Sequence, residues 1–257
     1  MKNFRRITIG IIILMVYLKA GAQDPLFSQF YSAPLFLNPA LAADKQKLNF
    51  GINHRAYTNK EISTYNLSQF SVVFPFKLNK ILSALPGDHQ SGAGLSVYRE
   101  ATGDKGQLNT VGVLATFAQN IQVMKSHFVS VGLQAGYINK KHGDDFKWGS
   151  EYDDVVGYDE SIESTIEGLN IKTQFPTINA GAVWFMNNSQ LKNYVQRFKF
   201  DAFAGISVMN INRPNQSFYD NKETKLPVQW KFHGGMKFDV TNRISVFPNL
   251  IMARQNN

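Results

Sequence analysis

Cysteine is absent from this sequence of 257 residues. Without a thiol the chain can form no disulfide, and it offers no thiolate as a nucleophile or metal ligand. It also lacks the residue to which bacterial lipoproteins attach their lipid, so we expect no lipid anchor on the mature chain. A cysteine-free chain has to be held together by hydrogen bonds and by burial of apolar surface.

Long apolar runs are also missing after residue 22, where no stretch approaches 18 consecutive apolar residues. A helix needs about 20 such residues to cross a bilayer. Because lipid cannot hydrogen-bond to exposed backbone, only helices and closed barrels cross a membrane. If the mature chain lies in a membrane, it must therefore cross as β-strands.

The first 22 residues have the pattern of a secretory signal peptide. Lys2, Arg5 and Arg6 precede an apolar run over residues 7–18, which ends at the small residues 20–22. This run of about 12 residues is too short for a helix that crosses a membrane, and a retained anchor is the alternative. We predict a cleaved signal peptide over residues 1–22, with cleavage before Gln23.

The excess of basic residues does not indicate nucleic-acid binding. The chain has 27 Lys and Arg against 19 Asp and Glu, and the predicted signal peptide holds four of the basic residues. The mature chain would keep 23 basic and 19 acidic residues, a net charge of +4. Because these charges are scattered and an exported chain seldom meets nucleic acid, we expect no nucleic-acid partner.

Strict alternation of apolar and polar residues indicates strands that separate two environments. Trp230 and Phe232 alternate with Lys231 and His233, and residues 129–137 alternate in the same way. About ten residues of this pattern suit a tilted strand with one face in lipid and the other in a hydrated interior. Nine strands are predicted, at 47–57, 64–77, 92–99, 108–121, 129–137, 175–186, 198–210, 228–240 and 243–254.

These strands predict an all-β fold, an antiparallel transmembrane outer-membrane β-barrel over residues 47–257. Short links at 122–125 and 241–242 alternate with long links at 139–174 and 211–227, as in barrels with periplasmic turns and longer outer loops. Nine strands cannot close a bacterial barrel, which has an even number of strands. We therefore expect an incomplete barrel here, with further strands in the intact protein.

Residues 23–46 form a segment rich in proline and aromatic residues ahead of the first strand. Pro25, Pro34 and Pro39 exclude a central strand or a regular helix. Its many aromatic side chains would be unfavourable in water. We expect the segment to pack at the periplasmic mouth of the barrel, to plug it, or to contact a partner.

The long link between the fifth and sixth predicted strands is acidic. It is interpreted either as a calcium or cationic-partner site or as a solvated loop, since its spacing matches no EF-hand. Its nine carboxylates are Asp144, Asp145, Glu151, Asp153, Asp154, Asp159, Glu160, Glu163 and Glu167.

The search for catalytic and metal-binding motifs yields no site residues. The five histidines (His54, His89, His127, His142 and His233) are isolated, and none has metal-ligand spacing. His233 is compatible with an enzymatic barrel, but no G-x-S-x-G motif accompanies it, and hydrogen bonding inside the barrel is the other interpretation. Residues 92–94 lack the third glycine of a nucleotide-binding loop. We predict no enzyme activity, no cofactor and no metal.

The stretch from Gln23 to Tyr31, followed by Asn38-Pro39-Ala40, resembles the opening of the PorP/SprF family of type IX secretion system membrane proteins. Its pattern there is Q-D-P-x-F-S-Q-[FY]-Y followed by N-P-A. Further blocks that are similar to the family lie at residues 92–97, 130–137, 203–208, 212–218 and 226–227. The likeness covers nearly the whole mature chain.

This resemblance implies a barrel in the cell outer membrane that works with the type IX secretion and gliding motility apparatus. It implies that the protein anchors the machine to the membrane or binds the C-terminal sorting domains of secreted cargo, without catalysis. Its partners would be other type IX components, cargo and outer-membrane lipid. No binding residue carries over one by one. A passive pore for solutes is the alternative function, and an enzymatic barrel is a third.

Overall fold

A computed structural model shows how the strands assemble. It describes residues 32–44, 47–59, 63–78, 89–103, 107–143, 152–153, 157–158, 171–187, 200–220, 222–241 and 244–255. The predicted signal peptide and residues 23–31 lie outside these ranges, as does most of the acidic link. No helix among the described residues is long and apolar enough to cross a membrane.

Nearly all of the described chain is β-structure, and each of the nine predicted strands has a counterpart. The long strands are β1 (Asn49–Asn59), β2 (Ser63–Phe76), β3 (Gln90–Thr102), β4 (Leu108–Met124), β5 (His127–His142), β8 (Lys172–Asn187), β9 (Phe200–Met209) and β10 (Gln229–Thr241). The short ones are β6 (Tyr152–Asp153), β7 (Gly157–Tyr158), β11 (Ile244–Val246) and β12 (Asn249–Gln255). Two short helices, α1 (Pro34–Leu37) and the 3-10 helix η1 (Pro39–Ala43), precede β1.

Ten strands form one antiparallel sheet in the order β1-β2-β3-β4-β5-β8-β9-β10-β11, and β12 also pairs with β10. Neighbours along the chain are neighbours in the sheet, so the topology is a meander of hairpins. The prediction of an all-β antiparallel fold is confirmed, and the sheet is not closed.

Two details differ from the predicted strands. The last one, 243–254, is interrupted at residues 247–248, where β11 ends and β12 begins, because Pro248 has no amide hydrogen to give to the ladder. Both parts pair with the same edge of β10, so together they occupy the position of one strand in the sheet. The predicted loop at 139–174 also contains the two-residue pair β6 and β7.

Along the long strands, buried and exposed side chains alternate, so the sheet has two different faces. On β5, Ser130 and Gln134 are buried, whereas Val131 and Leu133 between them are 49% and 63% exposed. On β10, Lys231 is 3% exposed and the next residue, Phe232, 46%. The inner face is thus buried and carries many polar side chains among apolar ones, whereas the outer face is apolar and exposed. Water alone would not favour this distribution of side chains.

The sheet curls around residues 32–44. The Leu37 carbonyl accepts a hydrogen bond from Ser207 on β9, while the backbone of Ala42 lies against Gly92 on β3. Strands β3 and β9 are four strand spacings apart, which in a flat sheet is about 19 Å. Five residues of 3-10 helix advance only about 10 Å. Strands β3 and β9 can meet so short a segment only if the sheet bends around it.

Candidate functional site inside the curled sheet

Residues 32–44, called the inner segment below, fill the concave face of the sheet. Pro34 begins α1 and Pro39 begins η1, positions where proline gives up no helical hydrogen bond. Leu35 and Ala42 are fully buried, and Leu37 is 3% exposed. Leu35 and Ala42 pack with Val73 on β2 and Ala118 on β4 in one apolar cluster of the interior.

Asn38 connects the inner segment to three strands. Its side-chain oxygen accepts from the backbone amide of Ala40 at 2.9 Å, which caps η1. Because that oxygen faces a donor, the side-chain nitrogen points the other way. It lies 3.2 Å from the carbonyl oxygen of Ala182 on β8, 3.0 Å from that of Ile206 on β9, and 3.0 Å from Nε2 of His233 on β10. Asn38 is fully buried.

Four side chains from the strands donate to carbonyl groups of the inner segment. Short helices leave such carbonyls without helical partners, so inside the sheet each needs a donor from elsewhere. The donors and acceptors are Gln134 to Leu35 at 3.2 Å, Lys231 to Phe36 at 3.1 Å, Ser207 to Leu37 at 2.7 Å and Ser130 to Ala40 at 2.6 Å.

Glycines on the inner face provide the space for these contacts. A Cβ atom at Gly132 would lie 2.5 Å from the backbone nitrogen of Ala40, and one at Gly92 would collide with the backbone of Ala42. At Gly181 it would collide with the side chain of Asn38. Strands β3, β5 and β8 therefore carry glycine where the inner segment crosses them.

A row of buried polar side chains lies next to the inner segment. Gln134 donates to Thr116 on β4 at 2.8 Å and accepts from Asn179 on β8 at 2.7 Å. Asn179 in turn accepts from the backbone amide of Asn210 at 2.9 Å, and Asn210 accepts from Thr177 at 2.9 Å. These bonds satisfy polar groups that burial would otherwise penalise, and they fix the positions of four neighbouring strands.

A cavity of about 130 Å³ lies beyond this row, toward the end of the sheet that carries the two longest links. The ring of Phe36 belongs to the inner segment, and the other side chains come from the strands and from the link between β9 and β10. The side chains that give it its character are Phe36, Tyr98, Phe175, Lys140, Lys231 and Glu100.

His233 lies at the centre of the interior, and its surroundings do not resemble a catalytic site. It is 4% exposed, and its hydrogen-bonding partner among the described residues is the amide of Asn38, which is neither an acid nor a nucleophile. The ring of Phe203 packs beside it, 6.0 Å between centroids. The interpretation of His233 as a hydrogen-bonding residue inside the sheet agrees with this geometry.

The described structure does not bring the other candidate metal ligands, the histidines and the acidic residues, together in one site. The described part of the chain contains no group of three or more His, Asp or Glu side chains that could hold a metal ion. Of the nine acidic residues of the long link, eight lie outside the described residues. For the ninth, Asp153, the structure describes only the backbone, in β6. Sequence reasoning used Asn38 only as part of the family motif and gave it no structural role, although asparagine directly ahead of a proline that begins a helix is a recognisable start signal.

The fold and its interior define the class of this chain as a curled antiparallel sheet that is filled by its own N-terminal segment. The family model described as "Type IX secretion system membrane protein PorP/SprF" matches residues 19–257, and the chain belongs to this family. The resemblance found in the sequence is confirmed. Neither the curated proteins nor the solved structures contain a match to the chain.

Proposed function

We propose that this protein is an outer-membrane component of the type IX secretion system that holds a partner, either a part of the machine or the sorting domain of a cargo protein. Membership of a type IX secretion system membrane family supports the system. The exposed apolar side chains of the outer face, such as Leu133, Phe117 and Phe232, support the lipid environment. The assignment to the outer membrane rests on these two observations together.

The filled interior is the observation that carries the proposed role. A channel needs a continuous hydrated lumen, but here the inner segment occupies the concave face with fully buried Leu35, Asn38 and Ala42. This arrangement favours a rigid binding or anchoring part over a passive pore. It also favours a role without catalysis, since His233 is bonded to Asn38.

Deletion of the gene in the native cell, followed by analysis of the culture medium, tests the secretion role. We expect at least one large surface protein to be missing from the medium, and export to return when the gene is restored. Unchanged export of every such protein would overturn the proposal. Purification of the tagged protein in mild detergent should recover other type IX components or cargo.

The alternative of a passive pore is tested separately in planar bilayers. We expect the purified protein to show no steady conductance, because the inner segment fills the interior. Open-channel currents without any co-purified secretion component would favour the pore.

A further inference from the structure

The cavity next to the inner segment has the size of a small ligand. Holding one water molecule takes about 10–15 Å³ of such volume. At about 130 Å³, the cavity has room for roughly ten non-hydrogen atoms. Its wall is held in place on two sides, by the bonded row that contains Gln134 and Asn179 and by the inner segment. A wall fixed in this way favours binding, because little side-chain freedom remains to be lost.

Aromatic rings form the apolar part of the wall. Phe36 and Tyr98 meet edge to face with centroids 5.3 Å apart, and Phe175 lines the cavity from β8. Rings of this kind recognise a flat apolar group by contact and by stacking.

Two lysines give the cavity its charge. Among the described residues, Lys231, Lys140 and one carboxylate, Glu100, line it, and these three charges sum to +1. Each ammonium group lies beside an aromatic ring, Lys231 at 5.4 Å from the centre of Phe36 and Lys140 at 5.8 Å from that of Phe175. Lys231 is only 3% exposed and donates to the carbonyl of Phe36 at 3.1 Å, while Lys140 donates to the side-chain oxygen of Gln216 at 2.6 Å. An added carboxylate would be a further acceptor for these ammonium groups, and its attraction to the buried Lys231 would be weakly screened by solvent.

We propose that this cavity binds a monocarboxylate joined to an aromatic or large apolar group. The carboxylate would lie between Lys140 and Lys231, and the apolar group would lie against Phe36, Tyr98 and Phe175. The C-terminal residue of a polypeptide and a free aromatic acid share this chemistry. The site depends on the geometry of the cavity alone, so failure to bind would leave the secretion assignment intact.

Calorimetric titration of the purified full-length chain in neutral detergent tests the site, with 3-phenylpropionate as the probe and 3-phenylpropanamide as its uncharged counterpart. We expect the acid to bind at least about tenfold more tightly than the amide. Equal affinity for the two, or no binding of the acid, would overturn the proposal.

Lysine variants locate the binding. K140M should weaken the affinity for 3-phenylpropionate by about tenfold or more. K237M is the control, because Lys237 lies on β10, the strand that carries Lys231, but pairs with Asp239 and does not line the cavity. K231M should act like K140M. Because Lys231 also donates a hydrogen bond to the Phe36 carbonyl, the folding of the K231M variant is checked by circular dichroism. If K231M misfolds, K140M alone decides the test. An equal loss in K237M and K140M would contradict the site.

The source of the carboxylate is tested by competition with N-acetyl-alanyl-phenylalanine and its C-terminal amide. If the peptide acid displaces 3-phenylpropionate at lower concentration than the free acid does, and its amide does not, the natural ligand is a polypeptide end. If the free acid binds more tightly, the ligand is a small aromatic acid. Either result supports the cavity as a carboxylate site.

Discussion

Leu133 and Gln134 are neighbours on β5, yet they lie in opposite environments. Leu133 is 63% exposed on the outer face, while Gln134 is 2% exposed and bonded to Thr116, Asn179 and the carbonyl of Leu35. In a water-soluble sheet the polar residue would face outward and the apolar one inward. The reversal indicates that the outer surroundings are apolar and that hydrogen bonds between polar side chains contribute to the stability of the interior.

The two faces also differ in what completes them. The outer face has no partner within the described chain, so lipid would have to cover it. The inner face is completed by the inner segment, which supplies both apolar side chains and hydrogen-bonding backbone. The same strands therefore need two different partners, the inner segment and lipid. A separate substitution can disturb the contact with each of them.

The largest effect is expected from Gly132→Val, which should expel the inner segment. The new side chain would meet the backbone of Pro39 and Ala40, which cannot move aside as the end of a flexible side chain can. Losing the burial of Leu35 and Leu37 would cost about 3–6 kcal/mol of unfolding free energy. Limited proteolysis should then cut within residues 32–44.

Ala135→Val is the control for this substitution, because Ala135 lies on the same strand and faces outward. It should change the free energy of unfolding by no more than about 0.5 kcal/mol. If Gly132→Val left both stability and proteolysis unchanged, the placement of the inner segment against β5 would be wrong.

A charge on the outer face should have the next largest effect. Leu133→Arg would place a cation opposite Phe117 on β4 and Ala180 on β8, in the middle of the apolar face. Near the centre of a bilayer such a charge costs about 2–4 kcal/mol, and near the interface about 0–1 kcal/mol. Denaturant unfolding from lipid vesicles measures the difference.

Met124→Arg is the matched control, since Met124 is 68% exposed and lies seven residues beyond Phe117, at the end of β4. We expect it to be tolerated. Equal costs at positions 133 and 124 would argue against a bilayer around the outer face.

Asn38→Leu tests the inner face with a smaller expected effect. Leucine has nearly the same shape but cannot cap η1, and it leaves His233 without its described partner. Loss of these buried hydrogen bonds should cost about 1–3 kcal/mol. Asn109→Leu is the comparison, because Asn109 bonds only the exposed Arg99 among the described residues, and its cost should stay below about 0.5 kcal/mol. An equal, small cost at both positions would exclude Asn38 as an anchor.

The contrast between these positions also explains which parts of the fold the sequence predicts. Alternation along β5 and β10 is a local property of each strand, so Leu133, Gln134, Phe232 and Lys231 could be placed on their faces from the sequence. The contacts of Asn38 could not, because they join residues 144 to 195 positions apart. No local pattern records which strand a polar side chain will reach.

The interruption of the last predicted strand was missed for a related reason. Pro248 falls between two stretches in which apolar and polar residues alternate. The alternation gave no indication that both stretches would pair with the same edge of β10. The glycines at positions 132 and 181 likewise carry no local sign that the inner segment crosses the strands there. The cavity is lined by one helix, six strands and the link between β9 and β10, so no local pattern in the sequence indicates it.

The last prediction leaves stability nearly unchanged and asks only what surrounds the outer face. Trp184 and Trp230 alternate with the buried Val183 and Lys231, so both side chains point outward. In vesicles, lipids with brominated acyl chains should quench the fluorescence of variants in which Trp184 or Trp230 is the single tryptophan, with the other one and Trp148 replaced by phenylalanine, while aqueous iodide should not. Because bromine quenches only on close contact, the measurement separates lipid from water at each position. Strong quenching by iodide and none by brominated lipid would show that the apolar face lies in water or against protein, and the membrane interpretation of the two faces would then fail.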